Sequence, residues 1–186
     1  MTEPAHLAAR RIYLGPWRID VAIRDGIRAP LPMSRLARSV AAALDGARAP
    51  EPGSVTIVLT DDEELEDLNV AHMGHDGPTD VLSFPMLDPD QFDRSGRPGR
   101  RDGRRGGGRH ERRPRTHIGD IAISVERAAE QAVEGRGGQT GDVRWSVVDE
   151  LRLLVTHGTL HLCGWDHAEP ADEAAMRALE RGLLAE

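Results

Sequence analysis

The chain reads as an α/β (α+β) fold, a layered domain with a small sheet of about four strands. Segments with strand character and segments with helical periodicity follow one another along its length. The strand candidates are short and β-branched, and no internal repeat interrupts the pattern. At 186 residues, of which 39% are apolar and 30% charged, there is material for one buried core, so a single domain, 1–186, is expected.

Ile19 to Ile27 and Ser54 to Leu59 (SVTIVL) supply the first two strands. Met33 to Leu44 between them, and Asp61 to Leu68 after them, carry apolar residues at helical spacing. Asp61 is placed to cap DDEELEDL, whose acidic residues crowd the positive end of the helix dipole. Asp80 to Phe84 (DVLSF), bounded by Pro78 and Pro85, is the third strand, and Ile118 to Val125 alternates as the fourth, with a short helix, Glu126 to Val133, behind it. From Val143 to Cys163 a long helix is expected, because Val147, Leu151, Leu154, His157 and His161 recur at three- and four-residue steps. Gly164 closes that helix. A last amphipathic helix, Pro170 to Leu184, opens on a proline suited to a first turn.

All 24 basic residues are Arg. The net charge of −7 would disfavour a polyanionic partner if it were spread evenly. It is not: Arg94 to Arg115 (RSGRPGRRDGRRGGGRHERRPR) sets ten Arg against Asp102 and Glu111, a local +8 that leaves −15 elsewhere. With no apolar residue to bury, 94–115 is expected to be a flexible loop insertion between the third and fourth strands. Cys163 is the only cysteine, which excludes an internal disulfide. No apolar run approaches a membrane span and no basic-plus-apolar leader is present, so a cytoplasmic protein without membrane contact is expected.

The segment His157 to His167 reads HGTLHLCGWDH. A four-residue step returns nearly to the same helical face, so His157 and His161 can grip one ion together. Gly164 lets the chain turn back, and His167 then arrives from the loop as a third ligand. With 8 His among 186 residues, two more at these offsets arise by chance in about 1–2% of cases over all starting points. Closed structural zinc sites use four protein ligands and favour Cys, and Cys163, two residues from His161, should point elsewhere as a small buried hydrophobe. Three imidazoles with one place open to water are a hydrolytic arrangement. The spacing matches the metzincin proteases, but those carry a Glu directly after the first His, and here that residue is Gly158.

The same residues resemble a known family. HGTLHLCGWDH is similar to the H-G-x-L-H-L-x-G-[YW]-D-H signature of the YbeY endoribonucleases, bacterial rRNA-maturation enzymes. Gly77 to Pro85 (GPTDVLSFP) is similar to that family's P-T-[DN]-V-L-S-F-P strand, and Gly119 to Ile123 (GDIAI) to its G-D-I strand. The likeness runs from about Val55 to Ala185. It implies a zinc-dependent endonuclease specific for single-stranded RNA, matures the 3′ end of 16S rRNA, and takes part in ribosome quality control. It also implies an αβα sandwich with a small mixed sheet, whose three histidines open onto a cleft, and one Zn2+ per chain on His157, His161 and His167, with rRNA and the small ribosomal subunit as partners and no DNA. Members often carry an Arg a few residues before P-T-D that is thought to contact the scissile phosphate; Met73 stands there, and His75 stands near a position that is often Lys.

Within that reading His157 and Asp166 are the candidate catalytic residues, Asp166 orienting a ligand or moving a proton. Asp80, Asp120 and Ser83 read as structural. An Arg-rich arm beside a nuclease cleft would strengthen RNA association by counterion release, with Arg104, Arg105 and Arg109 as the candidate contacts; an inert surface insertion is the alternative. Two rival functions stay open: a metallohydrolase of another substrate, and a ribosome-associated binding protein whose metal is structural.

Overall fold

Alternation of buried and half-buried residues along Val55, Ile57 and Leu59 marks the centre of the sheet. The computed structural model describes residues 8–74, 76–77, 79–92, 114–134 and 145–185. Its five strands are β1 (Ala8–Leu14), β2 (Trp17–Ile23), β3 (Gly53–Thr60), β4 (Val81–Pro85) and β5 (Thr116–Ser124), in the spatial order β1-β2-β3-β5-β4. The central pairs β2·β3 and β3·β5 are parallel, while β1·β2 and β4·β5 at the edges are antiparallel.

The class is therefore the expected one, with helices on both faces of a mixed sheet, but there are five strands among the described residues and not four. The extra one is β1, which forms a hairpin with β2 through Gly15, whose φ of 57° suits glycine. Adjacent Arg10 and Arg11 hide its alternation, and Ile12 and Leu14 alone face the core. β2 also stops at Ile23 and does not run on to Ile27, because Gly26 turns the chain at φ 83°.

The helices are α1 (Met33–Gly46), α2 (Asp62–Met73), α3 (Val125–Glu134), α4 (Val147–Leu162) and α5 (Pro170–Leu184). Asp61 caps α2 as expected, its side chain accepting the Glu64 N–H, and α2 runs on to Met73. α4 starts at Val147 and not at Val143: Ser146 and Asp149 form a reciprocal capping box there. α1 covers β1 and β2, α4 covers β4 and β5 on the same face, and α5 packs outside α1 and α4. The main core, with Trp17, Ile57, Ile121, Leu151 and Leu160, lies between that layer and the sheet. α2 covers β4 and β5 from the opposite side, closing a small second core of Leu65, Leu82 and Ala122.

Two glycines let α4 and β4 approach. Gly119 sits at φ 157°, beside a register shift in β3·β5, and a Cβ there would lie 2.4 Å from Phe84 O and 2.7 Å from Leu162 Cδ2. A Cβ at Gly158 would meet Ser83 Oγ at 3.0 Å and Ile121 Cγ2 at 3.1 Å. Ser83 in turn donates to Gly158 O at 3.1 Å, so it is a strand serine bonded to backbone. Among the described residues no helix is long and apolar enough to cross a membrane.

Candidate metal centre

The C-terminal half of α4 presents His157 and His161 one turn apart on one side, with their Nε2 atoms 3.0 Å from each other. The helix then ends in a Schellman motif. Gly164, at φ 76°, donates its N–H to His161 O, and Trp165 donates to Leu160 O. That reversal carries His167 back over α4, where its ring stacks on His157 at a centroid separation of 5.7 Å and meets His161 edge-on at 5.0 Å. One nitrogen from each of the three rings lies within 4.8 Å of the other two.

A tetrahedral ion with Zn–N bonds of about 2.0–2.1 Å separates its ligand nitrogens by roughly 3.3 Å. The 3.0 Å between the two helical Nε2 atoms is close to that edge, and the exposed His167 ring brings its nitrogen within 4.8 Å of both residues. The opposite ring nitrogens are also held. His157 Nδ1 lies 2.7 Å from Glu180 Oε1 on α5, and His161 Nδ1 lies 2.9 Å from Trp165 O. Both acceptors fix the proton on Nδ1, which leaves each Nε2 lone pair aimed at the common centre. This is the ligand and outer-ligand arrangement a metal requires, and the three residues could hold one ion.

Electrostatics favour the same state. Burial, with the neighbouring His157 and His167 rings, pushes His161 down to about 4, so it is neutral and able to ligate at neutral pH. Asp166 is exposed, and the hydrogen bond from the His167 backbone N–H, helped by that from Ala168, lowers its pKa against the opposing effect of burial. Its carboxylate accepts the His167 N–H at 2.7 Å, so it shapes the loop that delivers the third ring. Cys163 is fully buried in the core, outside the group that converges, and burial raises its thiol to about 12.

A pocket of about 200 Å³ opens beside the rings, lined by His157, His167, Met176, Arg177 and Glu180. Gly158 faces the sheet and not this pocket, so the residue that follows the first His cannot reach the site even if it were acidic. Met73 ends α2 and, with Phe84 and Met86, lines a groove of about 810 Å³; that helix packs on the other face of the sheet from α4. His75, Arg104, Arg105 and Arg109 lie outside the described residues. Asp80 accepts from Gln131 at 3.0 Å, and Asp120 pairs with His117 at 2.9 Å, both away from the histidines.

Glu180 was not singled out from the sequence. The signal existed: on α5 it follows Met176 by four residues, so an acid sits on the inward stripe of an amphipathic helix, where it is only 9% exposed. Trp165 contributes through its carbonyl, which no side-chain motif encodes.

The family model described as Endoribonuclease YbeY matches residues 28–186. A protein of that name from Thermobifida fusca (strain YX) is 41% identical over 169 residues, covering 90% of this chain and 92% of the relative. Another from Clavibacter michiganensis subsp. michiganensis is 39% identical over 147 residues, covering 79% of this chain and 81% of its own. The solution structure of a Thermotoga maritima protein aligns at 22% identity with a TM-score of 0.49, over 89% of this chain and 86% of that one.

Proposed function

The chain belongs to the endoribonuclease YbeY family, and from that premise we propose that it is a zinc-dependent hydrolase that cuts single-stranded RNA. Within that reading its target is the 3′ end of 16S rRNA, with the small ribosomal subunit as its partner, in cytoplasmic rRNA maturation and ribosome quality control. The observation that carries the reading is the convergence of three imidazoles, two of which, His157 and His161, have their outer nitrogens already engaged.

Phosphodiester hydrolysis needs a polarised phosphoryl oxygen and a deprotonated nucleophile. Zinc, when bound, supplies Lewis acidity for both, and a set of neutral imidazoles suits it. The chain does the rest. Glu180 and the Trp165 carbonyl keep the Nδ1 protons of His157 and His161 in place, so their ligating atoms need no reorganisation. Asp166, an exposed carboxylate next to His167, accepts the proton of the attacking hydroxyl, whether from water or from a ribose 2′ position. The pocket beside the rings receives the scissile phosphate. We assign the chain as one catalytic domain, 1–186, in which the 94–115 insertion adds a sequence-independent hold on RNA through Arg104, Arg105 and Arg109.

The test uses purified protein and a single-stranded RNA, with chelator, with zinc restored, and beside His157→Ala. Cleavage that chelator abolishes, zinc restores and the variant lacks supports the assignment. Cleavage indifferent to both overturns it, and binding without cleavage makes the protein a ribosome-associated RNA binder.

A further inference from the structure

Several arginines on the described surface are matched with acids: Arg11 and Arg18 with Asp20, Arg24 with Glu64, Arg127 with Asp62 and Glu130, Arg177 with Glu173. A groove of about 470 Å³ between α1 and α4 instead gathers three together: Arg35, Arg38 and Arg152 line it, and none is within ion-pair distance of a carboxylate among the described residues. Arg35 and Arg38 are one turn apart on α1, so both project to the same side. Like charges at that spacing repel. Asp45 also lines the groove; its carboxylate accepts the Trp17 indole N–H at 2.8 Å, is not within ion-pair distance of the three arginines, and offsets one of their three charges. Arg152 reaches only the Leu184 carbonyl, at 3.5 Å. The groove also carries apolar surface from Leu14 and Leu183.

Three guanidinium groups beside an apolar wall suit a ligand with both anionic and flat apolar parts, and a nucleotide strand has both. Position agrees. α5 separates this groove from the histidine pocket: Leu183 lines one and Glu180 the other, three residues apart on the same helix. Arg152 and His157 are five residues apart on α4, about 7.5 Å along its axis. A strand bound at the histidines therefore needs only a few nucleotides to cross α5. We propose that Arg35, Arg38 and Arg152 form a second binding site, which holds the phosphodiester backbone of single-stranded RNA away from the scissile bond.

The proposal rests on the RNA-cleaving assignment, and the experiment separates the two. Binding is followed by fluorescence anisotropy on 2′-O-methyl oligonucleotides of two lengths, one filling only the histidine pocket and one long enough to cross α5. The double variant Arg35→Gln/Arg38→Gln is compared with wild type and with Arg35→Lys/Arg38→Lys, which keeps the charge. The Gln variant loses affinity for the long strand only, and the slope of log affinity against log salt becomes shallower by about 1.4, two single-strand phosphate contacts at about 0.7 each. The Lys variant keeps most of the long-strand affinity, and zinc-dependent cleavage of the short RNA is unchanged in both. An unaltered affinity and slope for the long strand overturns the second site, as does an equal loss for the short one. A wild type that binds the long strand through these arginines yet cleaves nothing leaves the second site standing and sinks the nuclease assignment.

Discussion

Removing the carboxylate of Glu180 should weaken zinc binding without unfolding the protein. Its Oε1 lies 2.7 Å from His157 Nδ1, at a site where the acid is 9% exposed and the imidazole only partly so. Outer-ligand partners of this kind are worth about 10–100-fold in metal affinity, or roughly 1.4–2.7 kcal/mol. Glu180→Gln keeps an acceptor for the Nδ1 proton but loses the charge, so a loss near the low end, about tenfold, is expected. Glu180→Ala removes both and leaves a partly buried N–H without its partner, which puts it near the upper end. Zinc dissociation constants come from competition with a chromophoric chelator at fixed pH, and helix content from circular dichroism of the metal-free proteins. Glu180→Ala binding zinc as tightly as wild type, with the fold intact, would refute the claim that this carboxylate sets the His157 ring.

Other consequences follow from the packing and the charges. Gly119→Ala places a methyl 2.4 Å from Phe84 O on a backbone at φ 157°, so a loss of about 2–4 kcal/mol in urea unfolding is expected; a loss within experimental error would mean that β4 and β5 are not so closely apposed. Burial alone would raise the Glu64 pKa, but hydrogen bonds from Arg24 and Thr60 and the Arg24 charge outweigh it and hold the group below its ordinary value. Because the folded pKa is the lower one, Glu64 stabilises the fold above its unfolded value of about 4.3 and loses that contribution as pH falls through the folded value. Wild type should therefore lose stability over that acid range more steeply than Arg24→Gln, and parallel urea titrations of the two would contradict the ion pair. Zinc should raise the unfolding midpoint of wild type, by about 2.7 kcal/mol of stability at a hundredfold excess over Kd, and leave His161→Ala unmoved.

The three histidines were legible because their chemistry is periodic: a four-residue helical step and a glycine at the helix end appear directly in HGTLHLCGWDH. The same holds for α5, whose bounds match those read from Pro170 to Leu184. Elements fixed by distant partners were not legible. β1 exists because β2 pairs with it, and its own residues, AARRIYL, look half polar. The start of α4 is set by a Ser146 and Asp149 box that lies inside a longer apolar pattern. Glu180 sits 23 residues from the ring it holds, and an acid on an amphipathic helix is ordinarily solvated. Arg35, Arg38 and Arg152 become a group only when α1 and α4 are side by side. Local periodicity thus reveals the three histidines, and tertiary packing supplies what orients His157.

The central claim is that three imidazoles, and no thiolate, hold a single zinc ion. X-ray absorption at the zinc edge on protein loaded with one equivalent tests it directly. A shell of nitrogen and oxygen neighbours at about 2.0–2.1 Å with imidazole multiple scattering is the predicted result, and it should vanish in His157→Ala/His161→Ala. A sulfur neighbour at about 2.3 Å, or an unchanged spectrum in the double variant, would contradict it.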